Sequence, residues 1–199
     1  MSGPRRVLLA THNQGKLAEI RPLLAPLGVE LLSLADFPHL AETPETGATF
    51  EENAAAKARA AAAASGLVAM ADDSGLEVEA LGGAPGVRSQ RFAPSDQERI
   101  ERLLGLLRGV APPRRARFVA AVAIAAPDGR CEVVRGTVEG EITEAPRGEG
   151  GFGFDPVFVP EGETRTLAQM NRQEKNALSH RGRAFRLAAA RLERWLEEA

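Results

Sequence analysis

Short apolar runs alternate with amphipathic stretches along the first third of the chain. The runs at 6–10, 29–34 and 67–71 are apolar enough to predict buried strands. Leucine and isoleucine recur at helical spacing over 15–25, which predicts an amphipathic helix. A second helix is predicted over 50–64, where an Ala-rich stretch opens with Thr and Glu in the spacing of a capping box. This order of strands and helices is typical of an α/β sheet.

The rest of the chain carries signals for antiparallel strands. Ser95 and Glu98 form a second capping-box pattern, which predicts a helix to about Arg108. Further strands are predicted over 117–126, 131–138, 141–143 and 157–159, and a final helix over 180–198 with Ser179 as its N-cap. The first two of these strands flank Pro-Asp-Gly, a good hairpin signal. We therefore expect an α/β fold with a long mixed sheet flanked by helices, formed by one domain of two lobes.

Composition narrows the class of protein. The net charge is −2 and the arginines are spread along the chain, so no basic patch for nucleic acid is indicated. The single cysteine, Cys131, excludes a disulfide within the chain and is expected to be buried. The first apolar stretch is too short for a signal peptide, and no run approaches the roughly 18 residues of a membrane span. We expect a soluble cytoplasmic protein that binds neither nucleic acid nor membrane.

Lysine is scarce, and its positions coincide with other scarce polar residues. Of the 25 basic residues, 22 are Arg, and the three lysines are Lys16, Lys57 and Lys175. All four asparagines lie within five residues of one of these lysines. A lysine that persists where arginine is otherwise used indicates a position that needs a compact ammonium group. Polar chemistry is thus concentrated in a few short segments, which are typical of a phosphate site.

The segment Thr11-His-Asn-Gln-Gly-Lys16 joins a predicted strand to a helix N-terminus. Backbone N–H groups and the helix dipole favour an anion there. Thr11 and Asn13 would add donors, and Lys16 would add a point charge. The segment lacks the pattern of a Walker A loop. An ordinary turn with a solvated lysine is an equally good interpretation of this segment alone.

Adjacent carboxylates at Asp72 and Asp73 follow the apolar run at 67–71. They are costly at the end of a buried strand unless a cation neutralises them, and oxygen ligands near phosphates are the usual setting for Mg²⁺. Metal or base chemistry is therefore favoured over two solvated acids. Glu45 lies in the preceding polar loop and could supply another carboxylate, although a solvated loop acid is as good an interpretation.

Two later segments complete the candidate chemistry. The stretch 148–156 matches G-x-G-x-x-G but precedes a strand rather than a helix, so a dinucleotide fingerprint is rejected. Its Phe152 and Phe154 could stack on a base or anchor the loop in the core. The segment 175–182 places His180 and Arg181 in the first turn of the final helix, where their donors can meet phosphate or a carbonyl. Together, these signals indicate hydrolysis of a nucleotide phosphate.

The chain resembles the inosine/xanthosine triphosphate pyrophosphatases, which act on non-standard purine nucleotides. Five segments carry the resemblance, in family order from residue 11 to residue 184: T-H-N-Q-G-K-L-A-E-I, E-T-G-A-T-F-E-E-N-A-A-A-K-A, A-D-D-S-G-L-E-V-E-A-L-G-G-A-P-G-V-R-S, G-G-F-G-F-D-P-V-F and E-K-N-A-L-S-H-R-G-R-A. The resemblance implies hydrolysis of ITP, dITP and XTP to the monophosphate and pyrophosphate with Mg²⁺. It also implies a homodimer, and an elongated α/β fold with a cleft between two lobes.

The resemblance also implies roles for individual residues. Those that bind substrate would be Thr11, His12, Asn13, Gln14, Gly15, Lys16, Ser74, Phe152, Gly153, Phe154, Asp155, Lys175, His180 and Arg181. Of these, Thr11 to Lys16 and Lys175 would hold the triphosphate, and the aromatic loop with His180 and Arg181 would form the base pocket. Asp73 and Lys16 would be catalytic, and Asp73, Glu45 and Asp72 would bind metal. Which aspartate is base and which is ligand stays open.

Two positions depart from the family pattern, and two alternatives remain. Pro44 stands where the family often has an acid, which makes Glu45 the expected ligand and leaves Glu42 uncertain. His12 stands where a small residue is common. A Maf-like pyrophosphatase with another nucleotide preference is the alternative enzyme, although the S-H-R-G segment argues against it. A nucleotide-binding module without catalysis is disfavoured by the carboxylates, because a pure phosphate binder gains little from them.

Overall fold

A computed structural model describes residues 5–197, which form a mixed six-stranded sheet flanked by helices. The strands are β1 Arg6–Leu9, β2 Glu30–Ser33, β3 Val68–Val78, β4 Arg115–Ala125, β5 Cys131–Ile142 and β6 Phe158–Pro160. The α-helices are α1 Gln14–Leu24, α2 Phe50–Ser65, α3 Asp96–Leu106, α4 Arg172–Leu178 and α5 His180–Glu197. The strand order is β2-β1-β3-β4-β5-β6, with β1 parallel to β2 and β3 and with β5 antiparallel to β6. The predicted fold class is confirmed.

The chain divides into two compact units, each with its own core. The first unit contains the described residues up to Asp73, then 120–136 and those from Arg181 onward. The second contains 74–119 and 137–180. Two of the four divisions along the chain, at Asp73-Ser74 and His180-Arg181, fall inside segments for which the sequence analysis predicted chemistry.

The first core explains why α1 and α5 form. Leu17, Ile20 and Leu24 recur on one face of α1 and are buried, as their spacing predicts. They share a cluster with the apolar residues of β1 and with the buried face of α5, which includes Phe185 and Leu192. The second core gathers the apolar residues of α3, the starts of β4 and β6 and the end of β5. Nowhere in residues 5–197 is there a helix long and apolar enough to cross a membrane.

Local capping signals predicted several helix ends. Thr49 caps α2 and Ser95 caps α3, each accepting a hydrogen bond from the backbone three residues on. The reciprocal bond is present in α3, whereas the Glu52 carboxylate accepts from Ala48 N–H rather than from the Thr49 backbone. The last helix reaches Glu197 in the structure, and Glu198, its expected end, lies outside the described residues.

Two expectations about the strands were wrong, and one helix was not predicted. β3 does not end at residue 71 but continues through the acids to Val78, so Asp72 and Asp73 lie inside a strand. The separate strand expected at 141–143 is the end of β5, which runs on to Ile142. A short helix, α4, was not expected, and it carries Lys175. Asn171 caps it, with Glu174 completing the capping box.

Candidate active site

The turn between β1 and α1 is shaped by its own side chains. Asn13 is the N-cap of α1, and its Oδ1 accepts the Lys16 N–H at 3.0 Å. Thr11 Oγ1 accepts the Asn13 N–H at 3.1 Å. The Thr11 hydroxyl and the Asn13 amide nitrogen keep their own O–H and N–H donors while these two oxygens accept, so the expected role of both residues as donors to a ligand stays a prediction. His12, Asn13 and Gln14 are exposed, so the turn presents a helix N-terminus to solvent.

A buried chain of alternating charges links α1, β3 and α5. Lys16 Nζ lies 3.0 Å from Asp72 Oδ2, and Arg181 Nε lies 3.4 Å from the same oxygen. Arg181 Nη1 lies 2.6 Å from Glu19 Oε2. The four side chains are between 1% and 7% exposed, so none of these charges is neutralised by water. Buried charges of this kind are tolerated because each has an opposite partner.

The chain of charges fixes the ionisation of Asp72. Burial alone would raise the pKa of Asp72, but the charges of Lys16, Arg181 and Lys57 outweigh burial and hold the pKa well below its usual range. Burial lowers the pKa of Lys16, although Asp72 opposes the change. Asp72 is therefore a permanent anion whose oxygens are engaged by cations. Its role as a metal ligand stays a prediction.

Asp73 has different surroundings from its neighbour. Its Oδ2 accepts from Asn53 Nδ2 at 2.9 Å, and its Oδ1 lies 3.7 Å from Lys57 Nζ. Burial raises the pKa of Asp73, and nearby Glu45 adds to the rise, whereas Lys57 opposes it. A carboxylate with a raised pKa accepts a proton more readily than an ordinary aspartate. The two adjacent aspartates are thus driven in opposite directions, a pattern that separates a base from a structural anion.

Lys57 and Asn53 belong to this cluster, although no role was predicted for either. Lys57 Nζ donates to Glu45 Oε1 at 2.7 Å and to the Asp72 carbonyl at 3.0 Å. Burial lowers the pKa of Lys57, but the charges of Asp73, Asp72 and Glu45 outweigh burial and raise it. The two residues are four positions apart on α2 and so share a face of the helix. Lysine and asparagine are both scarce in the sequence, and this scarcity was the signal that could have identified the two residues.

The carboxylates of Glu45 and Asp73 fit a magnesium ion. Both approach the same Lys57 ammonium, so they already converge on one positive charge. Their donors are all oxygen, the ligand that Mg²⁺ prefers. No group of three or more potential ligands was found among residues 5–197. Mg²⁺ does not require one, because it is commonly held by one or two carboxylates together with substrate phosphates.

The Gly-rich loop at 148–155 is organised by Asp155 in the second unit. The buried Asp155 carboxylate pairs with Lys175 Nζ at 2.5 Å and accepts the Phe152 N–H at 2.8 Å. Lys175 Nζ lies 4.6 Å from the centre of the Phe152 ring, a cation–π distance. Gly153 N–H donates to Asp96 Oδ2 at 2.7 Å, which ties the loop to α3. The structure therefore brings Lys175 to the aromatic loop, and its role as a triphosphate ligand stays a prediction.

The two loop phenylalanines differ in exposure. Phe154 is buried in the second core, so it anchors the loop. Phe152 is half-buried and contacts Lys175. Ser74 and His180 are buried as well, and the His180 imidazole stacks on Phe118. The ring at Phe152 is therefore the better placed of the two to meet a flat base.

Replacing Gly151 by Ala should disrupt this loop more than strain alone would. Gly151 has a φ of +73°, and a Cβ there would collide with the Asp155 carboxylate, which holds Lys175 and Phe152. Gly162 has a similar φ of +83° but open space around it, so Gly162→Ala carries the backbone strain without the collision. We expect Gly151→Ala to lower kcat/KM for the expected substrate ITP at least about tenfold more than Gly162→Ala does. Equal kcat/KM values for the two variants would contradict this role for the loop.

Comparisons with known proteins identify the family of the chain. The model of the Ham1 family matches residues 7–191. The dITP/XTP pyrophosphatase of Deinococcus deserti is 57% identical over 183 residues, covering 91% of this chain and 86% of that protein. A dITP/XTP pyrophosphatase of Thermus thermophilus is 53% identical over 184 residues, with 91% and 88% covered.

The solved structures that match the chain belong to the same family. A HAM1 protein from Coxiella burnetii matches with a TM-score of 0.86 and 41% identity, covering 98% of this chain and 100% of that one. The Staphylococcus aureus Ham1 protein matches with a TM-score of 0.85 and 40% identity, covering 95% and 98%. With a family model that spans most of the sequence and relatives above half identity, the chain belongs to the Ham1 family.

Proposed function

We propose that this protein hydrolyses non-standard purine nucleoside triphosphates, namely ITP, dITP and XTP, to the monophosphate and pyrophosphate. The observation that carries the proposal is the placement of buried carboxylates and cations: Asp72 pairs with Lys16, whereas Asp73 and Glu45 both approach the Lys57 ammonium. A module that only binds phosphate would gain little from these carboxylates. Relatives named dITP/XTP pyrophosphatase support the choice of substrate.

In this proposal, Asp73 accepts the proton of the attacking water. The water oxygen bonds to the α-phosphorus, the bond from that phosphorus to the bridging oxygen breaks, and pyrophosphate leaves. Lys16 and Lys57 offset negative charge on the phosphates, as positioned cations do in phosphoryl transfer. Asp72 holds Lys16 and Arg181 in place and keeps its own charge throughout.

Magnesium is the metal that this donor set suits. Glu45 and Asp73 would hold the ion together with oxygens of the substrate. When bound, the metal would neutralise phosphate charge and favour the ionised form of its ligands. Chelation with EDTA should therefore abolish turnover, and added Mg²⁺ should restore it.

Selection of the base would come from donors that meet a 6-oxo group. Inosine and xanthosine carry oxygen at the position where adenosine carries an amine. An N–H of His180 would pair with that oxygen, while Phe152 would lie against the base. Adenine would leave the donor unmatched, and an unmatched buried donor carries a large free-energy penalty.

We further propose that the enzyme works as a homodimer in the cytoplasm. Light scattering coupled to gel filtration would test the homodimer by its molar mass.

A panel of nucleotides tests the proposal. Pyrophosphate release should be fast with ITP, dITP and XTP and at least about a hundredfold slower with ATP, whose 6-amine leaves the donor unmatched. GTP should be slow for a different reason, because its 2-amino group would meet a steric or unpaired-donor penalty. CTP, UTP and TTP belong in the panel because a preference for pyrimidines would favour the Maf-like alternative. Tight binding of ITP without any product would instead favour a nucleotide-binding module.

A further inference from the structure

A set of packed aromatic rings in the second unit fixes the orientation of the His180 imidazole. The Phe118 ring lies parallel to it, with centroids 4.6 Å apart and planes inclined by 8°. Phe158 meets Phe118 edge on, with centroids 4.7 Å apart and an interplanar angle of 62°. All three side chains are buried, and Phe158 is fully so. The core therefore holds Phe118, and Phe118 lies flat against the imidazole.

The orientation of an imidazole ring decides what it recognises. Its two nitrogens lie in the ring plane, and in the neutral form one donates a hydrogen bond and the other accepts one. His180 is the first residue of α5, so the helix fixes its backbone but leaves the broad side-chain torsion next to the ring free. A partial rotation about that torsion would tilt the imidazole into the Phe118 ring. The parallel contact thus restricts the plane in which the two nitrogens lie.

We propose that Phe118 is a positioning residue for purine selectivity, acting through His180. With the ring held flat, His180 presents its N–H toward the 6-oxo group of the base. A ring that could tilt out of this plane would turn its N–H away from the 6-oxo group, and the preference for oxygen over the 6-amino group of adenine would weaken. The inference rests on the function proposed above and adds the residue that keeps the donor in the plane of the base contact.

Matched substitutions of two buried rings test this role. Phe118→Leu removes the flat face next to His180, and Phe185→Leu makes the same change at a fully buried ring of the first core. We expect Phe118→Leu to lower the ratio of kcat/KM for ITP to that for ATP about tenfold, with KM for ITP raised. Phe185→Leu should lower the melting temperature while leaving this ratio within about twofold of wild type. Equal changes of the ratio in both variants would overturn the inference.

Proton NMR gives a readout that needs no activity and that begins with the wild-type protein. The chain has three histidines, and His12 and His39 are exposed. The ring protons of His180 lie over an aromatic face and should therefore resonate upfield of the other two sets. In Phe118→Leu they should move toward the ordinary position. Ordinary shifts in the wild type would overturn the inference even if Phe118→Leu failed to fold.

The two readouts separate this inference from the proposed function. Wild-type protein that hydrolyses ITP while Phe118→Leu retains full selectivity would refute only the role of Phe118. Wild-type protein that leaves ITP intact would refute the proposed function and the role in selectivity with it. In that case an upfield shift of the His180 protons would show only that His180 stacks on Phe118.

Discussion

Asp73→Asn should lower turnover of ITP by about 10²–10⁴-fold, the usual contribution of a general base. The change removes a proton acceptor and a metal carboxylate but keeps the shape of the side chain. The amide oxygen can still accept from Asn53, which donates to Asp73 at 2.9 Å. Steady-state kinetics with Mg²⁺ and ITP would measure the loss. Turnover at the wild-type rate would remove Asp73 from the mechanism.

Stability provides the control for Asp73→Asn, with a sign set by the pKa shifts. Burial raises the pKa of Asp73 above its unfolded value, so stability is lost as the pH rises from the unfolded pKa through the folded-state pKa, and the ionised form carries that cost. The Asp73→Asn variant, with its neutral side chain, should therefore melt no lower than wild type at pH 7.

Asp72 has a lowered pKa, so its charge stabilises the fold above the unfolded pKa. Asp72→Asn should lose about 3–5 kcal/mol, because Lys16 and Arg181 would lose their shared anion.

Lys16→Arg should lower kcat/KM by about 10²–10³-fold, although it preserves the charge. The Lys16 ammonium is buried and lies 3.0 Å and 3.1 Å from the two Asp72 oxygens. A guanidinium is wider and planar, and it would compete with Arg181 for the same carboxylate. Steady-state kinetics on protein shown to be folded by circular dichroism would measure the effect.

The matched control for Lys16→Arg is the reverse change on the same helix. Arg21 is exposed on α1, so Arg21→Lys should leave kcat/KM unchanged. Unimpaired turnover in Lys16→Arg would show that the scarcity of lysine at this position is incidental. It would also contradict the requirement for a compact ammonium beside Asp72.

The parts of the fold that sequence predicted well depend on local interactions. Thr49 and Ser95 cap their helices through bonds to residues three positions on, so the pattern and the structure coincide. The spacing of Leu17, Ile20 and Leu24 likewise specifies one buried face of α1. Such signals need no knowledge of distant residues.

The parts that sequence missed depend on residues far apart in the chain. Two acids followed by Ser-Gly are poor strand formers, so β3 was expected to end before Asp72. The strand continues because Lys16 and Arg181, from two helices, neutralise Asp72 there. Glu19 was missed for the same reason, since its partner Arg181 lies 162 residues away. Lys57 lies in an Ala-rich helix, and the sequence of that helix alone indicates only a structural role.

Hydrolysis of ITP with Mg²⁺ in ¹⁸O-labelled water tests the central claim most directly. If Asp73 activates water for attack on the α-phosphorus, mass spectrometry should find one ¹⁸O in the phosphate of IMP and none in pyrophosphate. Label in pyrophosphate would mean attack at the β-phosphorus. Release of IDP with labelled orthophosphate would mean attack at the γ-phosphorus, and either result would contradict the proposed reaction.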